Sequence, residues 1–369
     1  MYLSIGKEAI CWFSAALMGL SVLMPVARAD LTFEVATETE LREAILAVND
    51  GGAGTHTIAL TANIERTGAG WSSVKNLFAD EVIIEGSGYA LNSGENDSVL
   101  AFRDVVATLR NITITGGSAS SGGGVRCDGA TLTIENTRIA ENDADYGGGI
   151  WSRGCNLNLV HTTVENNTAV SGGGIWFGPG KQTGTVLSAT DTAIRGNAVT
   201  GSGGGAYAYP CLEPGQALTM VFTDSVIEEN SASAGGGLYC GAGATETRLE
   251  NSEVRFNQTN ERGGGGIWAD SDCVLELTGT TVSDNSSVGK GSVGGGIYGN
   301  GAEVEVKAST VSYNHTDYLG GGFRLCSFLD RAPRESRCPN RQLGPLSWSR
   351  NNERRVPESS PEHKVQLGG

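Results

Sequence analysis

Proline is scarce in this chain, 9 residues in 369, and with a hydrophobic content of 39% this excludes collagen and a disordered low-complexity chain. Basic residues are few: 26 Lys and Arg face 41 Asp and Glu, for a net charge of −15. A nucleic-acid or anionic-membrane partner is disfavoured, because binding phosphate needs a basic footprint. No cysteine forms a C-x-x-C pair and no histidine lies near one at zinc-ligand spacing. P-loop, dinucleotide and Ser-His-Asp motifs are absent. EF-hand and GGxGxD calcium repeats are absent too, so no cofactor is expected beyond weak Ca2+ binding by the acidic surplus.

Residues 1–29 read as a secretory signal. Lys7 supplies the positive start, residues 9–27 carry no charge, and Ala27-Arg28-Ala29 is an A-x-A cleavage site before Asp30. Nineteen uncharged residues can also just span a bilayer, so an uncleaved anchor is the alternative. No second apolar span follows, which leaves a mature chain that is soluble or peripheral to the membrane. Cleavage leaves seven cysteines, at 127, 155, 211, 240, 273, 326 and 338, and export makes disulfides plausible.

Glycine is what the chain has in excess: 55 residues, about 15% against roughly 7% in ordinary proteins. Eight triplets, at 122–124, 147–149, 172–174, 203–205, 235–237, 264–266, 294–296 and 320–322, recur every 25 to 32 residues. That is the period of one solenoid coil. Between triplets stands an asparagine: Asn142, Asn167, Asn197, Asn230, Asn257, Asn285 and Asn314. Five residues before it is always Thr or Ser (Thr137, Thr162, Thr192, Ser225, Ser252, Thr280, Ser309), and three before it always Ile or Val. A further apolar column lies eight before, from Ile134 to Val306.

Stretches such as LTIENTRI and VEVKASTV alternate apolar and polar residues, the period of a half-buried strand. Short strands cannot each bury a face alone, whereas stacked coils share one core with like residues ~4.8 Å apart. An asparagine at each turn tolerates left-handed backbone and can bond the next in a ladder. The fold expected is all-β: a right-handed single-stranded parallel β-helix of the pectate-lyase type. Thr37-x-x-Glu40 is a capping box, and Leu41, Ala44, Ile45 and Val48 form one face of a short helix that can cover the open end. Residues 30–121 thus read as cap and first irregular coils, and 122–322 as regular coils.

After Gly322 the pattern stops. Residues 323–369 carry +4 and five of the nine prolines, and the signal carries +1, so 30–322 hold −20. Such a tail reads as a disordered basic arm or a non-native end.

The stretch TETELREAILAVNDGGAGTHTIAL, with EVIIEGSG, NITITGGSASSGGG and repeated GGGIW…N, resembles bacterial exported β-helix proteins with a CSLREA-type N-terminal region. The repeats are also similar to those of polymorphic outer membrane proteins, although Ile or Val stands where that family has Phe. The resemblance covers 31–322. It implies a secreted or cell-surface (outer-membrane) bacterial protein, often adhesive, and no particular chemistry.

Two residues after each triplet stands Trp151, Trp176, Tyr207, Tyr239, Trp268 or Tyr298, with Arg126 and Arg324 in the two end coils. With the preceding residue pointing inward, this row points outward. It is either a platform for sugar rings or a stack that ties the coils together. Glu165, Arg195, Glu228 and Arg255 suit a ladder of surface ion pairs. A carbohydrate-active enzyme, a polysaccharide lyase or glycoside hydrolase, is the alternative function. Its weak candidate residues are Asp191, Asp224 and His161, in a column that also reads as a plain turn. The cysteine offsets from the triplets suggest disulfides Cys127–Cys155 and Cys211–Cys240, with Cys273 left over.

Overall fold

The computed structural model describes residues 29–326, apart from 69–72, 76–78, 95–96, 182–183, 210–215 and 244. The signal at 1–28, the tail from 327 and Cys211 lie outside the described residues. Thirty-eight strands and one helix wind into a parallel β-solenoid of four sheets with 11, 10, 8 and 9 strands, which fits a right-handed parallel β-helix.

One coil shows the path. Thr131–Glu135 lies in the first sheet, Arg138–Ala140 in the second, Asp143–Tyr146 in the third and Ile150–Arg153 in the fourth. Three corners reverse direction through left-handed residues: Asn136 (φ 45°), Glu141 (φ 59°) and Gly147 (φ 67°). Each strand pairs in parallel with its counterpart one coil later, for example Ile134 with Leu159 and Ile139 with Val164. Both apolar columns therefore stack inside, and from Ile134 to Leu277 and Ile139 to Val282 every member is buried.

The asparagine ladder runs through the second corner without a break. In Asn142 the backbone N–H and Nδ2 both donate to Oδ1 of Asn167, at 3.0 Å each, and the same pair of bonds recurs up to Asn314. One expectation is corrected: the left-handed residue is the one before each asparagine, from Glu141 to Tyr313. The asparagine amide has to reach sideways to the next coil, so its own backbone keeps ordinary angles while its neighbour makes the turn. The Thr/Ser column forms a parallel ladder over its second half, where Ser225 N–H donates to Ser252 Oγ at 3.1 Å and Thr280 N–H to Ser309 Oγ at 3.0 Å.

The glycine triplets make the tight corner between the third and fourth sheets. A Cβ on Gly148 would stand 2.3 Å from the Thr168 carbonyl oxygen, and one on Gly149 2.6 Å from that of Gly174. Side chains are excluded there because the next coil's backbone fills the space.

Helix α1, Glu38–Asn49, covers the first coil. Thr37 caps it by accepting from Glu40 N–H, while the Glu40 carboxylate accepts from Ala36 N–H at 2.9 Å, one residue before the usual partner. Leu41, Ala44, Ile45 and Val48 are buried in the solenoid core, as the sequence pattern requires. At the other end the coil pattern outlasts Gly322: Phe323–Cys326 adds a strand to the fourth sheet, paired with Ile297–Asn300. The tail therefore starts later than the composition suggests, because strand pairing needs only backbone and an alternating FRLC segment.

Cys127 and Cys155 are bonded, with Cα atoms 6.2 Å apart. The second pairing is corrected: Cys240 bonds Cys273, not Cys211. Both bridges run from a fourth-sheet strand to the entry of the first sheet one coil later, since Cys127 sits level with Ser152 and Cys240 with Ala269. The turn Asp270–Asp272 brings Cys273 to the same Cα separation of 6.2 Å.

Candidate functional site: an aromatic cluster at the corner of two sheets

The aromatic residues stand in one column of the fourth sheet. Strand register stacks Arg126, Trp151, Trp176, Tyr207, Tyr239, Trp268, Tyr298 and Arg324 one above another. The residues before the rings, such as Ile150, Ile175 and Leu238, are buried inside, so the rings are on the outer face.

They are nevertheless largely covered, chiefly by one another. Trp151 and Trp176 are each 7% exposed and stack at 5.4 Å and 12°. Tyr239 and Trp268 stack at 5.9 Å and 9°, and Trp268 meets Tyr298 edge-on at 4.5 Å. In two pairs, Trp151–Trp176 and Tyr239–Trp268, rings one coil apart lie face to face along the solenoid axis and present edges rather than an open platform. This is the coil-tying geometry.

Two rings that the column pattern does not contain change the picture at Trp176. Tyr146, at the end of a third-sheet strand, meets Trp176 edge-on at 6.4 Å, and Tyr209, two residues after Tyr207, meets it at 5.3 Å. Rings from the third and fourth sheets thus cluster at the corner between them. Tyr146 is 47% and Tyr209 44% exposed, while the Trp176 Nε1–H between them is buried and has no partner. The ring of Trp176 lies over Gly178, where a Cβ would stand 2.2 Å from it.

Further along the column, Tyr239 Oη donates to Asp270 Oδ2 at 2.8 Å, and Asn300 Nδ2 donates to Oδ1 of the same carboxylate at 2.9 Å. Burial, reinforced by the Asp270 carboxylate, pushes the Tyr239 hydroxyl far up. Burial, with the neighbouring Tyr209 next, raises Tyr207 to about 12. Both phenols are therefore neutral hydrogen-bonding groups at physiological pH.

At the foot of the column, Arg126 and Arg153 place their guanidinium carbons 5.2 and 5.3 Å from the Trp151 ring. Arg153 is held by Asp128 through Nε at 3.2 Å and Nη2 at 2.8 Å.

The weak catalytic candidates stand elsewhere. His161, Asp191 and Asp224 are left-handed turn residues (φ 48°, 49° and 50°) in the same column as Asn136 and Asn251, at the corner between the first and second sheets. His161 Nε2 approaches Asp191 Oδ2 at 3.4 Å, with both side chains more than half exposed. That corner lies between the first and second sheets, whereas the aromatic cluster lies where the third meets the fourth. Of the ion-pair column two steps are bonded: Arg195 bonds Glu165 at 2.7 Å and Arg255 bonds Glu228 at 2.9 Å, with Arg138 joining Glu165 from below. Among the described residues no group of three or more His, Cys, Asp or Glu could hold a metal ion.

No protein-family model, curated protein or solved structure matches this chain.

Proposed function

We propose that the chain is an exported β-solenoid, secreted or held at a bacterial cell surface, that binds a glycan at the aromatic cluster around Trp176. The observation that carries this reading is the pair of half-exposed rings, Tyr146 and Tyr209, held against Trp176 from two sides of one corner. Tyr146 and Tyr209 offer amphipathic rings with an apolar face and a polar tip, which suits the mixed surface of a sugar. The remaining column supports the site by holding successive coils in register.

Export is supported by the signal-like residues 1–29, by two disulfides, which persist in oxidising compartments, and by the resemblance of 31–322 to exported bacterial β-helix proteins.

Affinity electrophoresis through gels containing a panel of neutral and acidic polysaccharides tests the reading. At least one polysaccharide should retard the protein, and Tyr146→Ala with Tyr209→Ala should abolish retardation while the thermal melt stays in place. A protein retarded by none, or a double variant retarded like wild type, would sink it.

A further inference from the structure

We infer that the glycan is a polyanion bearing carboxylates, and that Arg126 at the foot of the aromatic column is its charge-reading residue; this rests on the glycan-binding reading above. Every arginine in the strands of the first and second sheets is paired with a carboxylate: Arg110 with Glu85, Arg138 and Arg195 with Glu165, Arg248 with Glu246, Arg255 with Glu228. The fourth sheet breaks this rule. Arg103, Asp128 and Arg153 stack in one column by strand register, with Arg126 beside them beneath Trp151. The one carboxylate there, Asp128, is occupied by both N–H groups of Arg153.

Arg103 and Arg126 have no ion pair among the described residues. Arg126 and Arg153 share the Trp151 ring at 5.2 and 5.3 Å, but only Arg153 has a carboxylate partner, which leaves the Arg126 charge open to an anion. Residues 30–322 carry −20, and unpaired arginines on such a chain stand out as a local cationic patch. A guanidinium binds a carboxylate through two parallel N–H bonds, which a neutral sugar cannot supply. Arg103 and Arg153 are two coils apart, roughly 10 Å at the usual strand spacing. Cations repeated along the axis, and continuous with the Tyr146–Trp176–Tyr209 cluster, suit an extended polymer better than a single small ion.

The test measures retardation of the full chain by alginate, a polyuronate, and by laminarin, a neutral glucan. Alginate should retard the wild type, and raising NaCl from 0.05 to 0.5 M should weaken this by at least about tenfold, as the Debye length shrinks. Arg126→Gln should cost about tenfold at low salt with an unchanged melt, and Arg126→Lys should recover part of the loss through charge alone. Laminarin binding without alginate binding would overturn this inference and leave the glycan reading standing. Binding of neither would remove both. Alginate binding that is insensitive to salt, or equal in Arg126→Gln, would also overturn it. Should Arg126→Gln fail to fold, the wild-type salt response and Arg126→Lys decide the matter.

Discussion

The indole rings of Trp151 and Trp176 lie 5.4 Å apart and 12° from parallel on successive coils. Each covers a face of the other, which is why two tryptophans on the outside of a sheet are 93% buried. Trp176 also supports Tyr146 and Tyr209, so its removal should cost more than that of either tyrosine. We expect Trp176→Ala to lose about 3–5 kcal/mol, in the range of buried Trp truncations, and Tyr209→Ala less than about 1.5 kcal/mol. Urea unfolding followed by fluorescence measures both. Equal losses would contradict the stacking account.

Asn197 accepts two bonds from Asn167, from the backbone N–H and from Nδ2, each at 3.0 Å. Asn197→Ala strands both buried donors, and about 2–5 kcal/mol should be lost. Asn197→Asp should fare no better, since its second oxygen faces the Oδ1 of Asn230, to which the amide donates at 2.9 Å. An alanine variant within 1 kcal/mol of wild type would show that the ladder does not hold the corner.

Peptide mapping without reduction should find Cys127 linked to Cys155 and Cys240 to Cys273. The bridges close 28 and 33 residues of chain. Removing either by Cys→Ser at both ends should cost about 3–4 kcal/mol on the loop-entropy model. Recovery of a peptide joining Cys211 to Cys240 would contradict the structure.

Glu165 connects the stability of the solenoid to pH. Burial opposes its charge, but hydrogen bonds from Arg195 and Arg138 outweigh it and hold the carboxyl below the usual range. A depressed pKa contributes stability above the unfolded-state value of 4.5, and the contribution is lost as pH falls through the lower folded-state value. Melting temperatures between pH 3 and 7 should therefore fall on the acid side of 4.5 more steeply in wild type than in Glu165→Gln. Parallel curves would remove Glu165 as a source of acid sensitivity.

Much of the fold is legible in one dimension because a solenoid turns period into proximity. Glycines at fixed offsets become one corner, and asparagines at fixed offsets become one ladder, since each coil lies about one strand spacing above the last. The pair Cys127–Cys155 follows from the same offsets. Cys240–Cys273 did not, because equal offsets leave open which coil supplies the strand end and which the turn. The aromatic column was equally visible, but whether its rings show faces or edges to solvent was not.

The sequence by itself determined the coil period, the inward columns, the asparagine ladder, the capping helix and the alternating charges of Glu165, Arg195, Glu228 and Arg255. Each of these depends on neighbours one repeat away. Only the tertiary structure decided the cluster at Trp176. Tyr146 ends a third-sheet strand and Tyr209 follows a fourth-sheet strand, and neither belongs to a repeating column. They meet at Trp176 because stacking of successive coils brings the two strand ends to one corner, and no periodicity in the chain encodes that meeting.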